Sequence, residues 1–368
     1  MNAKKTLRIL GIRGVPAEHG GFETFAEYLC LYLVERGWNV IVYCQKEGTG
    51  LTYQDTWKGV TRINISIKDD GPKGTVLFDW KSVMHASEYK DLCLTLGYNT
   101  ALFCSLLRVK GVRNLINMDG IEWHRAKWGS AAKAWFYFNE WAGCFLGDHL
   151  IADHPEIKKH LSMRTSDKKI TMIPYGAPLV SNAPLHLINQ YGLSEKKFLT
   201  VIARPEPENS LLEIVTAFSA KPRGVNLVVL GKYNTKDNAY HKAVVSKASK
   251  EVQFLGAIYN RNIVQALRFY SLAYIHGHQV GGTNPSLLEA LGCANPIIAH
   301  DNRFNRWVAG EEALYFDSEE QLDEQLSKLI NNPNLTQALS TSSMKRFQEN
   351  FTWDMVLRQY EALLERHI

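Results

Sequence analysis

Short apolar runs of strand length alternate with helical patterns along the whole chain, and the alternation completes its cycle twice. In the first half the runs are Leu7–Ile12, Asn39–Cys44, Thr61–Ser66, Asp91–Leu96, Asn114–Met118, His149–Ala152 and Lys169–Ile173. Helical spacing fills Phe22–Arg36, Thr75–Tyr89, Thr100–Lys110, His124–Leu146 and Pro155–Met163 between them. Near-continuous apolar strands separated by helices require a parallel sheet covered on both faces. The cycle restarts at Phe198–Ala203 and runs through Leu227–Leu230, Val252–Leu255, Ala273–His276, Pro296–Ala299 and Ala313–Phe316. Its helices are expected at Glu208–Ala220, Asp237–Lys250, Arg261–Ser271, Ser286–Cys293 and Ser318–Asn331. So many strands overfill one doubly wound sheet, and 368 residues exceed one ordinary domain. The expectation is an α/β chain of two Rossmann-like, doubly wound parallel-sheet domains, joined within Pro174–Pro184, where proline, glycine and small polar residues collect.

Composition narrows the class further. Hydrophobic residues at 45% and charged residues at 21% are ordinary for a soluble globular protein. A net charge of +5 suits an anionic small substrate or an anionic membrane surface and does not call for nucleic acid, which is not expected as a partner. The six cysteines are scattered, with no C-x-x-C pair, and read as buried free thiols in a reducing compartment. The opening MNAKKTLRILGIRG runs straight into a glycine loop and does not read as a signal peptide. The longest uncharged run, Leu92–Leu107, falls short of a membrane span. The expected location is cytoplasmic, with peripheral contact at the inner face of the cytoplasmic membrane left open.

The stretch with most chemistry is His276–Gly292, HGHQVGGTNPSLLEALG: strand end, glycine turn, helix start. Paired glycines let backbone N–H groups approach a ligand, and Pro285 suits the first helical turn. Open N–H groups there form an anion site, and Glu289 can accept hydrogen bonds from ribose hydroxyls. The combination points to a nucleotide carrying a diphosphate; the bland alternative is a tight turn before a buried helix. Arg204, in VIARPEPENS, stands just past a strand, where an arginine can clamp a diphosphate; a plain loop capped by Glu208 or Asn209 is the alternative. The first loop, GIRGVPAEHGGFETF, offers Arg13, His19 and the pair Gly20–Gly21 before a helix, without the G-x-G-x-x-G spacing of a dinucleotide site. In INMDGIEWHRAKWG, Asp119, Glu122 and His124 could handle a proton or position a sugar hydroxyl, or simply shape a turn. Aromatic residues between Trp128 and Trp141, with a later basic run from Lys158 to Lys169, suit either an anionic lipid surface or a core helix with a solvated face. No D-x-D, zinc spacing, Walker A or G-x-S-x-G occurs, so neither a metal nor a cofactor is expected.

Four places, RGVPAEHGGFET, DGIEWHRAKW, ARPEPEN and GGTNPSLLEALG, make the chain resemble a family 4 glycosyltransferase of GT-B architecture, close to bacterial polysaccharide-assembly rhamnosyltransferases. The resemblance implies an acceptor domain over 1–178, a nucleotide-sugar donor domain over 179–350 facing it across a cleft, and a terminal helix over 351–368 that crosses back. It implies that Arg204 grips the diphosphate and Glu289 the ribose, with Gly282, Thr283, Asn284, Pro285, Ser286 and Leu287 around diphosphate and sugar. Gly20 and Gly21 would approach the phosphates, Arg13 and His19 the acceptor, and His124, with Asp119 and Glu122, the reacting sugar. Two departures stand out: Gly281 replaces a common Glu eight positions before Glu289, and Asn209 replaces a common Lys five after Arg204. The implied activity is metal-independent, retaining transfer of a 6-deoxyhexose, L-rhamnose from dTDP-L-rhamnose, to a lipid-linked or oligosaccharide acceptor. A UDP- or GDP-hexose transferase, a sugar-nucleotide epimerase and a non-catalytic scaffold subunit are the alternatives; the missing fingerprint weakens an NAD-dependent oxidoreductase.

Overall fold

Each half of the chain builds its own sheet. The computed structural model describes residues 4–18, 20–69, 71–125 and 127–368. One compact unit comprises Met1–Tyr175 with Trp353–Ile368, and the other comprises Gly176–Thr352.

The first unit begins with β1 (Thr6–Leu10), α1 (Gly21–Glu35), β2 (Asn39–Glu47), β3 (Tyr53–Trp57) and β4 (Val60–Ile67). It continues through α2 (Pro72–Ala86), β5 (Leu92–Leu96), α3 (Ser105–Val109), β6 (Asn114–Asn117) and α4 (Ser130–Leu146). The strands end with β7 (His149–Ala152), α5 (Pro155–Ser162) and β8 (Ile170–Met172). The sheet order is β3-β4-β2-β1-β5-β6-β7-β8, and β3 alone runs antiparallel, against β4. Strand order reverses between β1 and β5. Right-handed crossovers therefore put α1 on one face and α2 to α5 on the other. Beside α1 lies the chain's last helix, which belongs to this unit. Its Trp353 stacks on Tyr28 and its Tyr360 meets Phe25 at a tilt of 47°, both at 4.5 Å between ring centroids. These rings join Leu7, Ile9, Leu29, Val42 and Leu94 in one core.

The second unit runs α6 (His186–Asn189), β9 (Phe198–Ile202), α7 (Leu211–Ser219), β10 (Asn226–Leu230), α8 (Ala239–Ser246) and β11 (Val252–Gly256). Then come α9 (Arg261–Tyr270), β12 (Ala273–His276), α10 (Pro285–Gly292), β13 (Ile297–His300), α11 (Arg303–Ala309) and β14 (Leu314–Phe316). Helices α12 (Glu319–Ile330) and α13 (Pro333–Asn350) close it, and α14 (Trp353–Glu365) is the helix already placed in the first unit. Its six strands are all parallel, in the order β11-β10-β9-β12-β13-β14. The alternation of a strand is visible in the packing: Leu199 and Val201 face the core under α7 and α12, while Phe198 faces the one under α6 and α9.

Several expectations shift. The helix anticipated from His124 to Leu146 is broken: Glu122–His124 forms a 3-10 turn, and α4 starts at Ser130 behind Gly129. The helix anticipated from Glu208 begins at Leu211, because Pro207–Asn209 makes a 3-10 turn and Ser210 takes a left-handed φ of 51°. Strand β3, YQDTW, has no apolar run because it is a largely exposed edge. Among the described residues no helix is long and apolar enough to cross a membrane.

Candidate functional site

Ligands of doubly wound sheets bind beyond the carboxyl ends of the strands, at the point where strand order reverses. In the second unit that point lies between β9 and β12. Arg204 follows β9, and Gly281–Glu289 follow β12, so the sequence-predicted donor residues flank it from both sides. The two loops are bonded together. Gln279 N donates to Glu208 O at 2.9 Å, Gln279 Nε2 to Ser210 Oγ at 3.0 Å, and Ser210 Oγ to Gly277 O at 2.9 Å. Gly277 permits the approach, since a Cβ there would lie 2.2 Å from Asn209 O.

The individual residues divide by what they already hold. Arg204 is exposed, and among the described residues its guanidinium has no ion pair. Asn209 is buried, and its amide donates to Arg204 O at 2.8 Å, bracing the loop instead of facing a ligand. Asn284 caps α10 by accepting from Ser286 N at 3.0 Å, and Leu287 N donates to Asn284 O. The cap closes the helix's own first turn. Among the described residues the N–H groups of Gly281 and Gly282 have no acceptor within the protein, so the open amides belong to the loop before the helix. Ser286 Oγ is tied to Tyr274 Oη at 2.7 Å and receives Arg268 Nη2 at 3.0 Å. Thr283 and Leu287 are buried, and Pro285 opens the helix at its first turn. Glu289 is half-exposed and paired with Arg268, whose Nη1 lies 2.6 Å from Glu289 Oε2. Arg268, buried on α9, was not singled out in the sequence; it holds the ribose candidate in place.

In the first unit the loops after β1 and β6 carry the remaining candidates. Gly20 precedes α1 without a side-chain cap. Glu23, in the first turn, accepts from Arg13 N at 3.2 Å, and Glu27 accepts from Ala17 N at 2.7 Å, so two carboxylates of α1 brace the loop. A Cβ on Gly20 would lie 3.0 Å from Glu23 Oε2, which sets a negative charge at that helix end. Gly21 O accepts from Tyr175 Oη at 2.6 Å. His19 lies outside the described residues.

After β6, Asp119 adopts a left-handed φ of 52°. Burial, then the charge of Glu122, pushes its carboxyl up to about 6. Burial opposes the charged form of Glu122, but Arg125 Nη1 and Trp128 Nε1, each at 2.9 Å, outweigh it and lower its pKa. Glu122 therefore clamps its own loop. Burial and the charge of His160 lower the pKa of His124, an exposed imidazole 4.1 Å from the Trp123 ring. Below lies Glu140, only 1% exposed, which the sequence reading passed over. It accepts from Trp123 Nε1 at 3.0 Å and pairs with His160 Nε2 at 2.9 Å and Arg164 Nε at 2.8 Å. Its signal was a carboxylate inside the aromatic run, WFYFNEWAG.

Two family models cover most of the chain. Residues 4–178 match "Domain of unknown function (DUF1972)", and residues 187–346 match "Glycosyl transferases group 1". An uncharacterized glycosyltransferase of Methanocaldococcus jannaschii is 22% identical over 234 residues, 60% of this chain. The match spans 58% of that protein's length. Among solved structures, sucrose-phosphate synthase from Thermosynechococcus elongatus is similar with a TM-score of 0.81 over 99% of both chains, at 16% identity. Anabaena Alr3699/HepE, solved in complex with UDP, gives 0.76 over 98% of this chain and 100% of its own, at 13% identity. The fold is GT-B, with one Rossmann-like unit following another. The group 1 glycosyltransferase match thus falls on the second half of the chain, and the DUF1972 match on the first.

Proposed function

We propose that the chain is a retaining glycosyltransferase that takes its sugar from a nucleoside-diphosphate donor bound on the second unit. The observation that carries this reading is the unpaired Arg204 guanidinium after β9 and the open amides of Gly281 and Gly282 after β12, on the two strands between which strand order reverses. A diphosphate leaving group gains charge as the glycosidic bond breaks, and a fixed cation with backbone donors stabilises that charge without a metal. Glu289, held by Arg268, is the acceptor we assign to the ribose hydroxyls. On the first unit, Asp119 and His124 are the groups able to hold or move an acceptor proton near neutral pH, and Glu122 braces the loop between them through Arg125 and Trp128. Gly20, Gly21, Arg13 and His19 remain assigned to the phosphate and acceptor side. No protein nucleophile is assigned.

The donor we favour is a 6-deoxyhexose, L-rhamnose from dTDP-L-rhamnose, passed to a lipid-linked or oligosaccharide acceptor in cell-surface polysaccharide synthesis. Gly281, with no side chain where the family resemblance implies a carboxylate, favours a sugar that needs fewer hydroxyl contacts. A UDP-hexose is the second reading, favoured by the HepE structure with UDP and glucose. A thermal-shift panel of dTDP-, UDP- and GDP-sugars tests both. Stabilisation by dTDP-rhamnose above the others, and its loss in Arg204→Ala, is the expected result. A UDP-glucose preference overturns the rhamnose assignment, and no response to any nucleotide sugar overturns the activity.

A further inference from the structure

Amphipathic helices normally bury their apolar side. Helix α4 does the reverse. Its buried residues are Asn139, Glu140, Gly143 and Cys144. Trp135, Phe138, Trp141 and Phe145 are exposed, Phe138 by 68% and Phe145 by 73%. The polar inner side is satisfied: Glu140 has its three partners, and Asn139 Oδ1 accepts from Leu102 N at 3.0 Å. Trp135 Nε1 donates to Asn99 O at 2.8 Å and Trp141 lies 5.2 Å from the Arg164 guanidinium, but the packing makes no such demand for an apolar residue at the more exposed Phe138.

The face extends beyond α4. Helices α2, α3 and α4 lie on the same side of the sheet, because the chain steps from β4 through β5 and β6 to β7 in one direction. On α2 Trp80 is exposed and meets Phe103, in the turn before α3, edge-on at 5.3 Å. The charges are one-sided. Lys73, Lys81, Arg108 and Lys133 are the cations of the three helices. Their two carboxylates turn inward: Asp79 accepts from Thr100 Oγ1 at 2.8 Å, and Glu140 is buried. Arg108 sits 5.7 Å from the Phe145 ring and 3.8 Å from Asp148, which follows α4.

We propose that this face docks on an anionic lipid surface. Exposed aromatics enter the headgroup boundary while lysine and arginine meet the lipid phosphates. A second copy of the chain fits worse, since a two-fold contact would set these cations against themselves. The inner side of α4 holds Trp123 and so the turn bearing His124, which places that turn about one helix diameter, ~10 Å, from the lipid. The proposal stands apart from donor identity, because its test needs no substrate.

The test is co-sedimentation of the full chain with vesicles of phosphatidylcholine alone or mixed with phosphatidylglycerol. Binding to the mixed vesicles, weakened by salt, is expected, with about tenfold weaker partitioning for Phe138→Ser/Phe145→Ser. Lys81→Glu/Lys133→Glu, which leaves the aromatics intact, is expected to lose the preference for phosphatidylglycerol. No binding by the wild type overturns the proposal, as does wild-type binding by a Phe138→Ser/Phe145→Ser variant with unchanged circular dichroism. A wild-type dimer dissolved by the same substitutions in sedimentation velocity would assign the face to self-association instead.

Discussion

Glu289→Ala is the most informative single change, because the two ends of its ion pair are unequally wet. The Arg268 side chain is 4% exposed and that of Glu289 36%. Arg268 has a further bond to Ser286 Oγ, and its Nε is buried without a partner. Deleting the carboxylate strands a buried guanidinium. Breaking a fully buried pair costs about 3–5 kcal/mol, and the wetter carboxylate end reduces that to ~2–3 kcal/mol here. Arg268→Met instead leaves a carboxylate that water can reach and fills the space of the stem, for ~1 kcal/mol. Glu289→Ala should therefore cost more than Arg268→Met, and the double variant should fall near Arg268→Met, a coupling of about 2–3 kcal/mol. Urea unfolding by far-UV circular dichroism measures the order, and hydrogen exchange over α9 and α10 locates it. The same variants separate stability from binding: losing a charged acceptor for ribose should weaken the donor about tenfold to a hundredfold in Glu289→Ala, and less in Arg268→Met, which keeps the carboxylate. Equal single costs, or a double variant as costly as the sum, would refute the buried-guanidinium argument. Unchanged donor affinity in Glu289→Ala would refute the ribose role.

Gly277→Ala sets a Cβ 2.2 Å from Asn209 O and 2.7 Å from Ile214 Cδ1; the two donor loops must part, and nucleotide-dependent thermal stabilisation should vanish while helical signal persists. Asp119 titrates at about 6 in the folded protein against 3.8 for the free group, so between those values the folded state keeps a proton that the unfolded state has released. Its contribution is thus present below about pH 4 and lost as pH rises through 6, and Asp119→Asn should be more stable at pH 7, flatten that pH dependence in urea titrations and lower turnover. Glu140→Gln removes the charge shared by Arg164 and His160, and should cost about 3 kcal/mol with faster hydrogen exchange over residues 121–125. All six cysteines are buried, and burial pushes Cys104 and Cys144 up to about 11 and Cys293 to about 12; Ellman's reagent should titrate none at neutral pH before denaturant is added.

The two-sheet architecture was legible because apolar period and helix spacing are local properties, and twelve of the thirteen expected strands coincide with named ones to within about a residue or two at either end. Edge strand β3 was not, since YQDTW pairs on one side only and needs no apolar face. Helices α6, α11 and α13 escaped for a related reason: α13 buries only Leu339, Ser343 and Phe347 in 18 residues. The donor loops were visible as glycine, proline and a lone carboxylate. What the spacing could not reveal is engagement. Asn209, Asn284 and Ser286 look like free polar groups in the sequence, yet each has a bond that holds a loop. Arg268 and Glu140 lie 21 residues from Glu289 and 16 from His124, at distances that only the folded chain closes.

Helix α4 joins these threads. A buried charge network on its inner side contributes little net stability, because desolvation offsets most of the attraction, and the exposed Phe138 and Phe145 on its outer side add little. Folding alone accounts for neither. The inner side fixes Trp123, and through it the turn bearing His124, while the outer side offers aromatics among cations to whatever lies beyond the sheet. The two faces act on the same turn. If the acceptor is carried on a lipid, one rigid helix would set both the depth of the chain at the surface and the height of its imidazole above it. Phe138→Ser/Phe145→Ser should then slow transfer to a membrane-borne acceptor and leave transfer to a detached oligosaccharide untouched, whereas Glu140→Gln should slow both.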